Sequence, residues 1–389
     1  MGRHPLVLLP RHRNPERAEA LCFPRSTRSH DKEFLMRRRT VLLLGAALAV
    51  APAVQAHAHP DHPTDPGGSS PIPGNYGQGW RPLAPIASGP RQEHSVAAVG
   101  DDLYVIGGIV HDGAGGVATT GQVDVYDTRR DTWSTAAPLP VAMNHPNVAV
   151  VHDRIYVLGG LSGGSEWQAL RDCFVYSPRA DRWRRLPPMP PGVERGSAAM
   201  GVSGRKILLA GGMRVLVPGA GGLQDTVATV SAYDVVTGRW EELPALPAAR
   251  DHVGGAVVGE TFYVLGGRDR GQVNVRDTVY AWEHGARRWT ERAPMPTARG
   301  GIAAAAVGRR IYTFGGEGRH DGTNPNTVFD ETEAYDTLRD RWERLAPMPV
   351  PRHGTAAVAV RGTIHIPGGG VLGGGAPVET NDAYRPARR

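Results

Sequence analysis

Cysteine is nearly missing from this 389-residue chain, which has only Cys22 and Cys173. Cys22 falls in a segment that reads as a leader, so Cys173 would stand alone in the processed protein, excluding an intramolecular disulfide framework. Lysine is almost absent as well, with only Lys32 and Lys206. No zinc-spaced Cys/His cluster, phosphate-binding glycine loop or nucleophile elbow occurs, and no metal or cofactor is called for. The longest apolar run, residues 41–54, is too short to span a bilayer. A global basic field is also lacking, although the formal net charge is +6. Ten basic and four acidic side chains in residues 1–58 account for that excess, and the remainder holds 34 of each sign. Nothing in the body of the chain therefore favours nucleic acid or an anionic membrane as a partner.

What is abundant is glycine, 51 residues, and proline, 33 residues. This suits many short strands joined by tight turns. The glycines are ordered. Pairs close apolar runs at Gly107-Gly108, Gly159-Gly160, Gly211-Gly212, Gly266-Gly267, Gly315-Gly316 and Gly368-Gly369, at intervals of 52, 52, 55, 49 and 53 residues. Tryptophan recurs in parallel at Trp80, Trp133, Trp183, Trp240, Trp289 and Trp342. Tyr126, Tyr176, Tyr233 and Tyr335 each stand seven residues before a Trp, and Trp282 holds that place before Trp289. Each unit reads as four strands: a small apolar one, one ending in the glycine pair, one carrying the Tyr and one carrying the Trp.

Glycine pair, Tyr and Trp recurring in this order resemble the kelch repeat, over residues 80–389. The resemblance implies an all-β, six-bladed propeller with one repeat per blade. The last unit stops after a third strand near Tyr384, and the segment around Trp80 is a fourth strand with nothing before it. Three C-terminal strands and one N-terminal strand would close the sixth blade and remove the open edge.

Upstream, Met36-Arg37-Arg38-Arg39-Thr40, an apolar run and the small residues Ala56 and Ala58 have the three-part layout of an export signal. The adjacent arginines resemble a twin-arginine signal. The expected organisation is an extension at 1–35 before a true start at Met36, a signal at 36–58, a flexible linker at 59–79 and the propeller at 80–389. The destination is then periplasmic or extracellular, as a monomer with no membrane span.

The face carrying the long loops after the glycine pairs is where binding residues should gather. Thirteen residues before each second-strand aromatic, or its equivalent, stand Arg91, Met143, Arg195, Arg250, Arg299 and Arg352. Two roles fit the five arginines. They can ring the channel mouth as donors to an acid, or they can tie blades together through backbone carbonyls and nearby Asp or Glu. The first makes Arg91, Arg195, Arg250, Arg299 and Arg352, with His145 and His252 just after two of these positions, a cradle for an acidic sugar or an acidic protein segment. Trp167, outside the repeat pattern, offers a stacking platform or packs against a neighbouring loop, and Arg319 is a further candidate ligand. The chain is thus expected to be an exported binding module.

Sialate mutarotases are similar six-bladed kelch propellers. That resemblance implies an alternative, in which Glu317 is a catalytic acid/base on an acidic sugar. The galactose oxidase resemblance is confined to the propeller: the count here is six blades and not seven, and no adjacent Tyr-His pair exists to hold copper.

Overall fold

A computed structural model describes residues 78–387, apart from 220–221 and 319–326. The expected extension, signal and most of the linker lie outside the described residues, as does Arg319. Among the described residues there is no α-helix, and none of the elements is a helix long and apolar enough to cross a membrane.

Six antiparallel blades of four strands each surround one axis, five as four-stranded sheets and the second as a sheet extended to six strands. The first contains Ser95–Val99, Asp102–Ile106, Val123–Asp127 and Thr132–Ala136, paired in sequence order. The sixth contains Val358–Val360, Thr363–Pro367 and Asn381–Tyr384, with Trp80–Pro82 as its outer strand. Trp80 pairs with Tyr384 and Pro82 with Asp382. This is the expected closure, and it leaves the ring without an open seam.

The repeat residues earn their spacing at the seams. On the outer side, the Trp indole donates to the carbonyl four residues after the preceding blade's Trp. Trp133 reaches Ala84, Trp183 reaches Ala137, Trp289 reaches Pro244, Trp342 reaches Ala293 and Trp80 reaches Ala346, at 2.7–3.0 Å. In three blades the Tyr hydroxyl donates to an aspartate five residues on, as in Tyr126–Asp131, Tyr176–Asp181 and Tyr335–Asp340. The same carboxylates accept the backbone N–H of Ala84, Ala137 and Ala293. Each Tyr-Asp-Trp set thus closes a polar clasp across the blade interface while its rings fill the gap.

The seam of blade three lacks both the aspartate and the indole hydrogen bond. Blade three has Gly238 in the aspartate's place, and the Trp240 indole nitrogen finds no partner. There the chain compensates on the opposite face. The hairpin Met213–Val217 and Leu223–Thr226 of blade three joins the sheet of blade two, pairing Leu216 with Trp167.

On the inner side the glycine pairs do the joining. The Gly316 N–H donates to the Arg352 carbonyl at 2.8 Å, and a Cβ on Gly315 would sit 2.1 Å from that oxygen. Only glycine lets the two blades approach this closely. Nearer the axis, the second residue after each arginine position has positive φ: Glu93, His145, Ser197, His252, Gly301 and Gly354. Their N–H groups run around the ring, each donating to the corresponding residue of the preceding blade. Five reach a carbonyl, and the His252 N–H takes the Ser197 hydroxyl at 3.0 Å. This belt fixes six side-chain positions on the axis.

Candidate functional site at the axis

The five arginines do not open onto the channel mouth. Arg91, Arg195, Arg250, Arg299 and Arg352 are all at most 1% exposed. Each guanidinium runs into its own blade. Arg195 donates to the carbonyls of Gly211, Val193 and Leu209 and to the Ser231 hydroxyl. Arg250 binds the Gly266 and Thr278 carbonyls and lies 4.4 Å over the Tyr280 ring. Arg91, Arg299 and Arg352 pair with Asp124, Glu333 and Asp382 at 2.6–2.7 Å. The expected ligand cradle is therefore corrected to an internal tie. The physical reason is that the strand ends leave carbonyls inside each blade, and an arginine can satisfy several of them from one planar group.

The partners follow a rule. Asp124, Ser231, Tyr280, Glu333 and Asp382 occupy the second position of the third strand in their blades. In blade two the arginine position is Met143 and the matching residue is Phe174, and these two lie in one apolar cluster. Cation and polar partner, or methionine and phenylalanine, are exchanged together.

The residues immediately after the arginines meet at the axis instead. His145 Nε2 lies 2.7 Å from a Glu93 oxygen and 2.9 Å from His252 Nε2. His145 Nδ1 faces Asn144 Oδ1 at 2.7 Å, and His252 Nδ1 faces Asp251 Oδ1 at 2.6 Å. Arg268 reaches His252 Nε2 at 2.8 Å and pairs with both Asp251 and Glu317. Glu317 also accepts from Gln272 and from the Gly374 N–H, each at 2.8 Å. His353 Nδ1 stands 3.6 Å from Glu93 and 3.5 Å from Glu317, while its Nε2 meets the Leu372 carbonyl.

The expected absence of a metal-type cluster is also corrected, because Glu93, His145 and His252 come together from three blades and are all buried. His145 and His252 were candidates in the sequence. Glu93, Asp251 and His353 stand in the sequence at the same two positions after the arginines, and Arg268 follows a glycine pair, without being singled out as ligands. That shared register was the signal.

Electrostatics keep the carboxylates of this cluster ionised. Burial alone would raise Glu93, but the charge and hydrogen bond of His145, with His252 and His353 close by, hold it well below the usual carboxylate range. Burial would likewise raise Glu317, yet His353 and Arg268 bring it to about 2. Asp251 is held at about 2, its burial outweighed by His252 and Arg268. Burial, then the Arg268 charge, push His252 down, so its imidazole is held neutral.

Two cavities meet at this layer. One of about 270 Å³ lies within the channel, against Glu93, His145, His252 and the starts of the first strands. The other, about 580 Å³, is a funnel on the loop face. Its wall includes Trp167, Leu216 and Leu223 and its floor Glu93, Arg268 and Glu317. Trp167 packs 4.8 Å from the His145 ring and pairs with Leu216 of the neighbouring hairpin, in line with the neighbour-packing expectation for it. Glu93 borders both cavities.

The KLHDC2/KLHL20/DRC7 Kelch-repeats domain matches residues 214–384, and the Kelch motif matches 90–140 and 143–190. The Kelch-like protein terF of Aspergillus terreus is 42% identical over 327 residues, spanning 82% of this chain and 70% of that protein.

This chain belongs to the kelch-repeat family.

Human Kelch-like protein 34 is 35% identical over 189 residues, and the match spans 47% of this kelch chain but only 27% of that protein. The solved structure titled "Structure of YjhT" superposes with a TM-score of 0.63 at 15% identity, covering 77% of this chain and 95% of that one. That likeness concerns the fold. A kelch propeller of this kind fits a binding or interaction module.

Proposed function

We propose that this kelch propeller binds a small molecule in the funnel of its loop face, apolar body against the wall and hydrogen-bond-donating end on the floor. The observation that carries the reading is the opposition of Trp167, Leu216 and Leu223 to the carboxylates of Glu93 and Glu317 in one funnel of about 580 Å³. Cavities of this size and lining hold small ligands. Anionic carboxylates accept hydrogen bonds and repel a ligand acid.

The partner expected earlier, an acidic glycan or acidic protein segment, loses its five cations to the blade interior. Among the described residues, Arg268 and Arg270 are the guanidinium groups bordering the funnel. Arg268 is engaged by Glu317 and Asp251, which leaves the rim residue Arg270 as the attachment for an acid. The acid/base alternative draws on Glu317 bordering the same funnel. Against it, Glu317 holds its proton only near pH 2 and accepts from three donors. Export through the residue 36–58 leader belongs to this reading and is tested by N-terminal sequencing of the protein recovered outside the cytoplasm.

The test is thermal stability of the full chain with a panel of phenols, polyols, amines and acidic sugars. A saturable rise in melting temperature with neutral or cationic members, weakened at least tenfold in affinity by Trp167→Ala, is expected. Saturable binding restricted to acidic sugars, abolished by Arg270→Ala and indifferent to Trp167→Ala, would overturn it.

A further inference from the structure

We infer that Glu93, His145 and His252 form a binding site for one first-row divalent cation at the propeller axis. The inference rests on the funnel reading only for its role, since the ion would lie at the floor that the small molecule reaches.

The donor atoms already lie close together. All three lie within 4.8 Å of one another and belong to buried residues. Each histidine is turned by an acceptor behind it, Asn144 Oδ1 for His145 and Asp251 Oδ1 for His252. These acceptors hold a proton on Nδ1 and so aim each Nε2 at the axis. In the chain without an ion, the His145 Nε2–H donates to the Glu93 oxygen 2.7 Å away, and His252 Nε2 stands 2.9 Å off; a cation would take the place of that proton, which ligation releases. An ion about 2.1 Å from each nitrogen, with its bonds at a right angle, separates them by about 3.0 Å. The Glu93 oxygen, 2.7 Å from His145 Nε2, occupies a neighbouring corner.

The backbone makes the arrangement rigid. All three ligand residues sit in the positive-φ belt, and the His145 N–H donates to the Glu93 carbonyl at 2.7 Å. Charge points the same way. Glu93, Asp251 and Glu317 place three carboxylates around one guanidinium, that of Arg268, in a buried layer. A divalent cation would offset carboxylates that one guanidinium alone does not balance. Arg268 also donates to His252 Nε2, and an ion there would take over that lone pair. The guanidinium keeps Asp251 and Glu317. Two imidazoles and one carboxylate suit iron(II), manganese(II), cobalt(II) or zinc(II), with remaining coordination positions open to the adjoining cavities.

The experiment uses the full chain purified without chelator, then stripped with EDTA and titrated with Co²⁺ alone. One equivalent should bind, with visible d–d absorption and a rise in melting temperature that EDTA reverses. His145→Ala and His252→Ala should each weaken Co²⁺ by at least 100-fold, and Asp251→Asn, behind His252, by 10- to 100-fold. In case these variants fail to fold, the wild-type chain loaded with Cu²⁺ gives an independent count. Pulsed electron paramagnetic resonance should report two imidazole nitrogens on the ion. Binding weaker than millimolar, or a count of none or one, overturns the site. Trp167→Ala separates the two proposals: it should leave metal stoichiometry unchanged while weakening the funnel ligand. Ligand binding to a chain that takes no Co²⁺ defeats the metal site alone. Co²⁺ binding in a chain that shifts with no small molecule defeats the funnel reading alone.

Discussion

Two sets of neighbouring residues in the same six repeats have opposite fates. The arginine positions are periodic, buried and bonded within their own blades. The one or two residues after each of them are aperiodic and converge on the axis, where every blade faces every other. A periodic position sees the same surroundings six times, so one residue type serves nearly everywhere. An axial position meets five different neighbours, so Glu93, His145, His252 and His353 can differ and combine. Periodicity therefore marks framework, and its breakdown one residue later marks the candidate site.

The comparison is tested most severely by exchanging the two kinds of arginine site. Met143→Arg should destabilise by about 3–5 kcal/mol, because the apolar neighbour Phe174 leaves the charge unpaired. The double variant with Phe174→Glu should recover a large part of that in chemical denaturation. Arg352→Ala should cost a similar ~3–5 kcal/mol by removing the buried guanidinium that pairs Asp382 on the closing blade. Once allowance is made for folding, it should leave funnel affinity unchanged. A folded Arg352→Ala protein with lost ligand binding would return the arginines to the site.

A smaller effect is expected from pH. Burial, and then the Arg81 charge, lower His365 to about 4. The folded state keeps this imidazole neutral while the unfolded chain protonates it below about 6.5. Its contribution is thus fully present above pH 6.5 and is lost as pH falls toward 4, by up to ~3 kcal/mol. Urea midpoints across that window should fall less steeply in His365→Phe.

The smallest effect concerns the outer clasp. Asp181→Ala removes the acceptor shared by the Tyr176 hydroxyl and the Ala137 N–H and should cost about 1–2 kcal/mol. Gly238→Asp in blade three adds the missing acceptor, but Gly238 has positive φ, which aspartate tolerates better than most residues. A gain of about 1 kcal/mol in its melting curve would show that the clasp works at any seam. An unchanged midpoint would mean that the Met213–Val217 hairpin already does that work for this seam.

Much of the molecule was legible from residue order. Six blades, four strands in each, the seam role of glycine and Trp, and closure by the Trp80 strand follow from spacing, because each repeat meets copies of itself in fixed register. Even the arginine ties had a readable signal in the paired change to Met143 and Phe174. What only the tertiary structure decided was direction and encounter. An arginine at a channel-lining strand start can point to the mouth or into the blade, and the Leu209 carbonyl and Ser231 hydroxyl that hold Arg195 inward belong to strands 14 and 36 residues away. Glu93, His145 and His252 are likewise far apart along the chain, His145 and His252 by 107 residues. Their meeting depends on closing the ring, which brings first strands from all six repeats to one axis where no local pattern records who faces whom.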